Sequence, residues 1–254
     1  MNERGRCAGR PGADDGGTKV MDLALAGRLA AIAAFIPPGS VVADIGTDHA
    51  RLPVYLVRKG ICPRVLATDL HEKPYQSACR AVAAHALGDR IEVRRGDGLQ
   101  PLLPGEVDLV VVAGMGGNTI RQILATGAGV LAAVKRLVLQ PMTDAGDLRR
   151  WLVENGWRLV DEKLVEEDGR LYVIMAAEPG REETTDPWLL EVGPRLVEKC
   201  DPLLCKHLEK IKKEYQRVLC CLAGSRSPAA ERKALDLTVK LHRVKEVLNG
   251  CRRR

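Results

Sequence analysis

The chain has 254 residues, a formal net charge of +6, 46% apolar residues and 28% charged ones. That balance excludes wholesale disorder, and the lack of any run of about 18 uncharged apolar residues excludes a membrane-spanning helix. Aromatic residues make up only 3%, which argues against a stacking platform for single-stranded nucleic acid.

Charge is unevenly placed. Residues 181–254 hold 17 of the 39 Lys+Arg and 11 of the 33 Asp+Glu, leaving 22 of each in residues 1–180. All of the net positive charge therefore sits in the last third, which on charge alone fits a solvated helical face of mixed sign as well as a basic appendage that holds a polyanion. The eight cysteines form no C-x-x-C pair and the histidines are scattered, so no metal is expected. The opening MNERGRCAGRPGADDGGTK has no apolar signal stretch, so reduced thiols and a cytoplasmic location are expected.

Residues 1–20 have little to bury and read as a disordered tail. Apolar residues at helical spacing predict a helix over 22–36, stopped by Pro37-Pro38-Gly39. Strands and helices then alternate. Strands are predicted at 41–45, 64–69, 91–95, 107–113 and 136–141, and helices at 49–59, 72–87, 118–125 and 144–154. Asn118 is a candidate N-cap. Two longer strands meet at Asp168-Gly169, a hairpin signal. Residues 21–180 thus predict a doubly wound α/β sheet with an antiparallel edge hairpin. Residues 181–254 carry helical patterns over 187–222 and 228–248, with heptad-like seams Leu204, Leu208, Ile211, Tyr215, Val218, Leu222 and Leu237, Leu241, Val244, Leu248. The polar turn between them predicts an antiparallel, coiled-coil-like helical hairpin.

Ligands of open parallel sheets bind beyond the carboxyl ends of the strands. Those ends read Asp44-Ile45-Gly46-Thr47-Asp48-His49, then Asp69, Gly96-Asp97-Gly98, Gly114-Met115-Gly116-Gly117 and Gln140-Pro141. Any one aspartate here is an ordinary turn residue. Three at one rim, without the G-x-G-x-x-G that a pyrophosphate needs, disfavour a dinucleotide. They suit a nucleoside with ribose hydroxyls, an adenine amino group and a cationic centre, which is S-adenosylmethionine. In this reading Asp69 accepts hydrogen bonds from the ribose diol and Asp97 from the adenine amino group. Gly46 admits the methionine part. The glycines at 114–117 let a flat acceptor approach the backbone closely. No Asn/Asp-Pro-Pro-aromatic clamp for an exocyclic amine is present, so a ring nitrogen is the better acceptor. Asp48 is the candidate for stabilising the arriving positive charge, and His49 for a hydrogen bond to the acceptor.

VVADIGTDHARLP, VVVAGMGGNTI, LVLQP and EEDGRLYVIMAAE, in this order, resemble the bacterial tRNA (adenine-22-N1)-methyltransferase family. The resemblance is close over residues 21–178. It implies a Rossmann-like class I methyltransferase sheet followed by a coiled-coil-like domain, S-adenosylmethionine as methyl donor, and N1 of an adenine in tRNA as acceptor. By motif match, Asp44, Gly46 and Asp48 fall on the first cofactor motif, Asp97-Gly98 on the adenine-side turn, and Gly114 to Gly117 on the acceptor loop. Met115, Gly116 and His49 complete the candidate reaction site; Asp69, Leu70, Gln140 and Pro141 complete the cofactor site. Arg28 matches a basic position in the leading helix and is a candidate contact to cofactor or phosphate. Two departures stand out. Met142 occupies the position where the family commonly has asparagine after L-Q-P, and Asp69 stands where some members carry glutamate.

RNA would be gripped by Lys206, Lys210, Lys212, Lys213, Arg217, Arg226, Arg232 and Lys233, because structured RNA is recognised largely through backbone and shape. A monomer is expected. The alternatives are a methyltransferase for another RNA, a small molecule or a protein, with the hairpin used for dimerisation, and an inert RNA-binding module of the same fold. An NAD-dependent oxidoreductase is the weakest reading, since the glycine fingerprint is missing.

Overall fold

A computed structural model of the chain describes residues 25, 27–224 and 227–251. The tail expected over residues 1–20 and the candidate Arg226 lie outside the described residues. The chain divides into two compact units, at Glu183/Thr184.

In the first unit, α1 (Gly27–Ala34) leads into β1 (Val42–Ile45), α2 (Arg51–Arg58), β2 (Val65–Asp69), α3 (Glu72–Ala84) and β3 (Ile91–Arg95). Then come β4 (Leu109–Met115), α4 (Gly117–Thr126), the short α5 (Ala128–Leu131), β5 (Arg136–Pro141) and α6 (Ala145–Glu154). A hairpin of β6 (Trp157–Glu167) and β7 (Arg170–Pro179) ends the unit. The sheet order is β3-β2-β1-β4-β5-β7-β6. The first five strands pair in parallel, and β7 runs antiparallel to β5 and β6. Strand order reverses between β1 and β4, which makes their carboxyl ends the expected ligand crevice. β1 and β2 are buried along their whole length, as β-branched strands covered by helices on both faces should be.

The hairpin turn has positive φ at both Asp168 and Gly169, the geometry of a type I′ connection. Along β6 the inward residues are first Trp157 and Leu159, then Glu162 and Leu164. The phase changes because the register against β7 shifts between Leu159 and Asp161. That bulge turns Glu162 into the core, where it meets Arg149 of α6 at 2.5 Å with both side chains fully buried. The expected N-cap role of Asn118 is not observed. Gly116 is the cap residue of α4, and the Asn118 amide is directed 3.5 Å from Asp144 Oδ2.

In the second unit the expected continuous pattern over 187–222 is three helices: α7 (Pro187–Val192), α8 (Pro194–Glu198) and α9 (Leu204–Leu222). Gly193 and Cys200, both at positive φ, interrupt it, and the buried Asp201 accepts the Leu203 N–H at 2.9 Å to start α9. Helix α10 (Pro228–Cys251) follows. Leu204, Leu208 and Tyr215 of α9 and Leu237, Val244 and Leu248 of α10 are buried, so the two heptad seams face each other, as expected. Arg243 adds a clasp, forking onto Asp186 at 3.0 and 2.5 Å while lying 4.3 Å from the Trp188 ring centroid. A two-helix zipper of this length is marginal by itself, and this partly exposed cation supplements it.

Among the described residues no helix is long and apolar enough to cross a membrane. Cys62, Cys200, Cys205, Cys220 and Cys221 are free thiols. Cys79 is in a disulfide, so the expectation of uniformly reduced cysteines does not hold there.

Candidate active site

The carboxyl ends of β1 and β2 bring Asp44 and Asp69 to adjacent strands, because β1 pairs with β2 in parallel register. Both carboxylates are buried. Burial is the main reason the Asp44 carboxyl is pushed up to about 6; the Thr47 hydroxyl, donating to Asp44 Oδ2 at 2.8 Å, acts in the opposite direction, and the Asp69 charge adds to the rise. Asp69 accepts the Asp48 N–H on one oxygen at 3.2 Å and the His71 N–H on the other at 3.1 Å. Each carboxylate oxygen retains a lone pair for a further donor. Leu70, next in the chain, is half exposed.

The loop from β1 into α2 is unusual. Gly46, Asp48 and Ala50 all have positive φ, and the last two have the Cβ that disfavours it by roughly 1–2 kcal/mol each. A Cβ on Gly46 would displace the Met115 methyl, 2.2 Å away, and the left-handed backbone at φ +74° is what favours glycine there. Asp48 does not cap α2; Ala50 holds that position without a side-chain bond. The exposed Asp48 carboxylate lies 3.4 Å from His49 Nε2, and Ser77 Oγ lies 2.7 Å from His49 Nδ1. The imidazole is thereby spanned between α3 and the rim. Asp97 is exposed on the turn after β3, next to the end of β2 through the Gly96 N–H bond to the Asp69 carbonyl at 3.0 Å. Gly98, at positive φ, packs against Ile123.

On the other side of β1, the acceptor loop is held by β5. Gly114 has positive φ, and its N–H donates to Gln140 Oε1 at 3.0 Å. The same oxygen accepts Arg28 Nη1 at 2.6 Å, while Gln140 Nε2 donates to the Pro141 carbonyl at 2.9 Å. Gln140 and Pro141 are buried. The Gln140 amide is thus engaged with protein groups, and its visible part in the site is to hold Gly114 and Arg28. Arg28 Nε lies 3.7 Å from Glu167, and its guanidinium carbon is 5.2 Å from the Tyr172 ring centroid. Met142 sulfur lies 3.6 Å from both Arg28 Nη1 and Gln140 Nε2, a weak acceptor in the place of the family's asparagine. Gly117 admits no side chain, since a Cβ would come within 2.7 Å of the Thr143 and Asp144 carbonyls.

Thr47, Ser77, Glu167 and Tyr172 escaped the sequence analysis. Thr47 had a signal, lying inside the D-I-G-T-D string; the others come from elements that only folding brings to the rim. Among the described residues no group of His, Cys, Asp and Glu is arranged to hold a metal.

A parallel sheet whose first two strands end in buried carboxylates, with glycine-lined turns and no phosphate loop, defines the class: this is a nucleoside-binding methyltransferase domain. The family described as "Methyltransferase domain" matches residues 25–175, and the chain belongs to it. More particularly, the chain belongs to the tRNA (adenine(22)-N(1))-methyltransferase family. It is 35% identical over 237 residues to the protein of that name from Bacillus subtilis, covering 90% of this chain and 98% of the relative. The crystal structure of the Bacillus subtilis m1A22 tRNA methyltransferase TrmK superposes with a TM-score of 0.83 at 33% identity, over 89% of this chain and all of that one. Streptococcus pneumoniae Sp1610, solved in complex with S-adenosyl-L-methionine, superposes with a TM-score of 0.76 at 36% identity, over 87% of this chain and 98% of that one.

Proposed function

We propose that this protein transfers a methyl group from S-adenosylmethionine to N1 of adenine 22 in tRNA. The observation that carries the reading is the carboxylate rim: Asp44 and Asp69 buried side by side at the end of the sheet in a chain that matches a methyltransferase of this specificity over nearly its whole length.

The residues present fit the cofactor by the chemistry of their donor set. Asp69 keeps acceptor capacity for a ribose diol, Asp97 stands exposed beside it for the adenine amino group, and Asp44 provides a buried acceptor. Arg28 and Leu70 lie on the same rim. When bound, S-adenosylmethionine supplies a sulfonium methyl that passes to the N1 lone pair, the S–C bonding electrons staying on sulfur and the positive charge moving to the adenine ring. N1 of neutral adenine carries no proton, so no general base is required for the attack. The protein's tasks are alignment, exclusion of water and accommodation of charge. Asp48 faces the rim as an exposed carboxylate steadied by His49, and we assign it the charge-stabilising role. Gly114 to Gly117 form the backbone cradle for the base, with Met115 on its floor against Gly46.

The second unit is proposed to grip tRNA. Lys206, Lys210, Lys213, Arg217, Arg232 and Lys233 are exposed, and Lys212 is half-buried. Lys212 and Arg217 are paired within α9 to Glu209 at 3.0 Å and Glu214 at 2.7 Å, so the freer grip comes from Lys210, Lys213, Arg232 and Lys233. Extruding a base from folded tRNA costs a few kcal/mol, which backbone contacts offset. Leu204, Leu208 and Tyr215 of one seam and Leu237, Val244 and Leu248 of the other are buried within the chain, which supports a monomer as the active form. The substrate puts its site of action in the cytoplasm.

Incubation with unmodified tRNA and labelled cofactor, followed by primer extension, tests the reading. A stop at position 22, lost when that adenine is replaced by guanine, is expected; a labelled nucleotide elsewhere, or label in protein, overturns it. Reversing Lys210 and Lys213 to glutamate is expected to weaken tRNA binding by about tenfold and flatten its salt dependence. Gln140→Leu is expected to leave the Gly114 N–H without its acceptor, lowering stability by about 1–3 kcal/mol and slowing turnover with little change in the KM for cofactor; denaturant melts and steady-state kinetics check both.

A further inference from the structure

The methyltransferase unit is not electrostatically uniform, although residues 1–180 balance in charge. Between His49 and Gly88 the only acids are Asp69, buried at the rim, and Glu72, which is paired to Arg95. The same stretch carries six cations, Arg51, Arg58, Lys59, Arg64, Lys73 and Arg80, all exposed; Arg64 is paired to Glu92 at 2.8 Å, which leaves five.

Two contacts fix how α2 and α3 lie. His49 meets Ser77 at the start of α2, and Arg58 meets His85 at its end, at 3.3 Å. The helices therefore run parallel, with a residue of α2 beside the one 27 or 28 positions later. This puts Arg51 level with Ala78 and Cys79, so that Arg80 follows within one or two residues. On α2 Arg51 and Arg58 are exposed at a spacing of seven, with Tyr55 between them half-buried against the core; on α3 Lys73, Gln76 and Arg80 are exposed at spacings of three and four. None of the five cations has a carboxylate partner among the described residues, and the one contact, Arg58 to His85, is to an imidazole. Helix α9 differs: two of its cations are neutralised by glutamates one turn away. An ordinary solvated helix face carries such mixed signs. Here the one exposed acid, Glu72, is already paired to Arg95, so the face is net positive, next to the loop holding Asp48 and His49, where the target base must arrive.

We propose that the outer face of α2 and α3 is a second docking surface for the sugar–phosphate backbone of tRNA, anchored by Arg51, Arg58, Lys73 and Arg80. It rests on the tRNA-methylating function proposed above. Charge complementarity selects the occupant: a polyanion already bound for the adjacent rim meets five uncompensated cations. Fixed backbone contacts beside the crevice set where the extruded adenine enters.

The test uses the full chain with Arg51→Glu/Arg80→Glu, and Arg51→Gln/Arg80→Gln as a milder pair should the first fail to fold. Anisotropy titrations with unmodified tRNA across a KCl series, cofactor calorimetry and steady-state kinetics are read together. Expected for the glutamate pair are a tRNA Kd raised about tenfold, a log K against log salt slope reduced by about two contacts, unchanged cofactor Kd, and a raised KM for tRNA with kcat retained. The glutamine pair should shift Kd about threefold in the same direction. Unchanged tRNA Kd and salt slope in a wild type that methylates adenine 22 would overturn the docking surface and leave the function standing. A matching loss of cofactor affinity in both pairs would also overturn it, as damage to the fold. A wild type that methylates no tRNA would remove the function, and this surface with it.

Discussion

Asp44→Asn is expected to make the protein more stable and less able to bind cofactor. The Asp44 carboxyl is buried at the end of β1 and raised to about 6, chiefly by that burial. An acid whose pKa is higher folded than unfolded holds more protons in the native state between the two values, so stability falls as pH rises through that window. The window runs from the ordinary 3.8 to about 6. Above it the native state carries a penalty of about 3 kcal/mol, from 1.36 kcal/mol per pH unit. Asparagine never ionises and can still accept from the Thr47 hydroxyl. At pH 7.5 the variant should therefore gain up to about 3 kcal/mol, and at pH 3.5 almost nothing. If Asp44 is a buried acceptor for a cofactor donor group as proposed, affinity should drop at least about 30-fold, equivalent to about 2 kcal/mol. In the wild type, cofactor affinity should likewise decline below pH 6. Denaturant titrations at the two pH values and calorimetry check both halves. A variant that is less stable at pH 7.5, or that binds cofactor normally, contradicts this account of the site.

Glu162→Leu is expected to destabilise the protein by about 3–5 kcal/mol, because it strands the fully buried Arg149 guanidinium without its counter-charge. For a chain of this length that is a fall of about 10 °C in Tm. Replacing both members, Arg149→Met with Glu162→Leu, should restore most of the loss, since an apolar pair removes the desolvation penalty on both sides. Additive losses in the double variant would show that the two side chains do not act as a pair.

The strand-helix alternation was legible because its causes are local. Short β-branched runs, Pro37-Pro38-Gly39 and the Asp168-Gly169 turn each act within a few residues, and strands at 91–95 and 136–141 were placed to the residue. The rim aspartates were legible too, because ligand position in an open parallel sheet follows from strand ends. Other features were not. Helix α9 starts at Leu204, not within one long helix from Pro187, because Gly193 and Cys200 adopt left-handed backbone that no periodicity reveals. Glu162 is buried because the bulge at Leu159/Asp161 reverses the phase of its strand, a register shift that depends on the partner strand. Gln140 read as a ligand contact by its place at a strand end, yet its amide is engaged with Gly114, Arg28 and Pro141.

The residues by themselves determined the element order, the carboxylates at the crevice and the basic C-terminal hairpin, since pattern, turn chemistry and charge count are properties of neighbours in the chain. Only tertiary packing decided which polar groups were shielded from water and which stayed charged at the surface. That choice raised Asp44, buried Arg149 with Glu162, and aligned two separate helices so that their cations form one face. Solvation depends on who lies alongside whom, and residues 21 apart, such as Asp48 in the loop after β1 and Asp69 at the end of β2, become neighbours only when the strands pair.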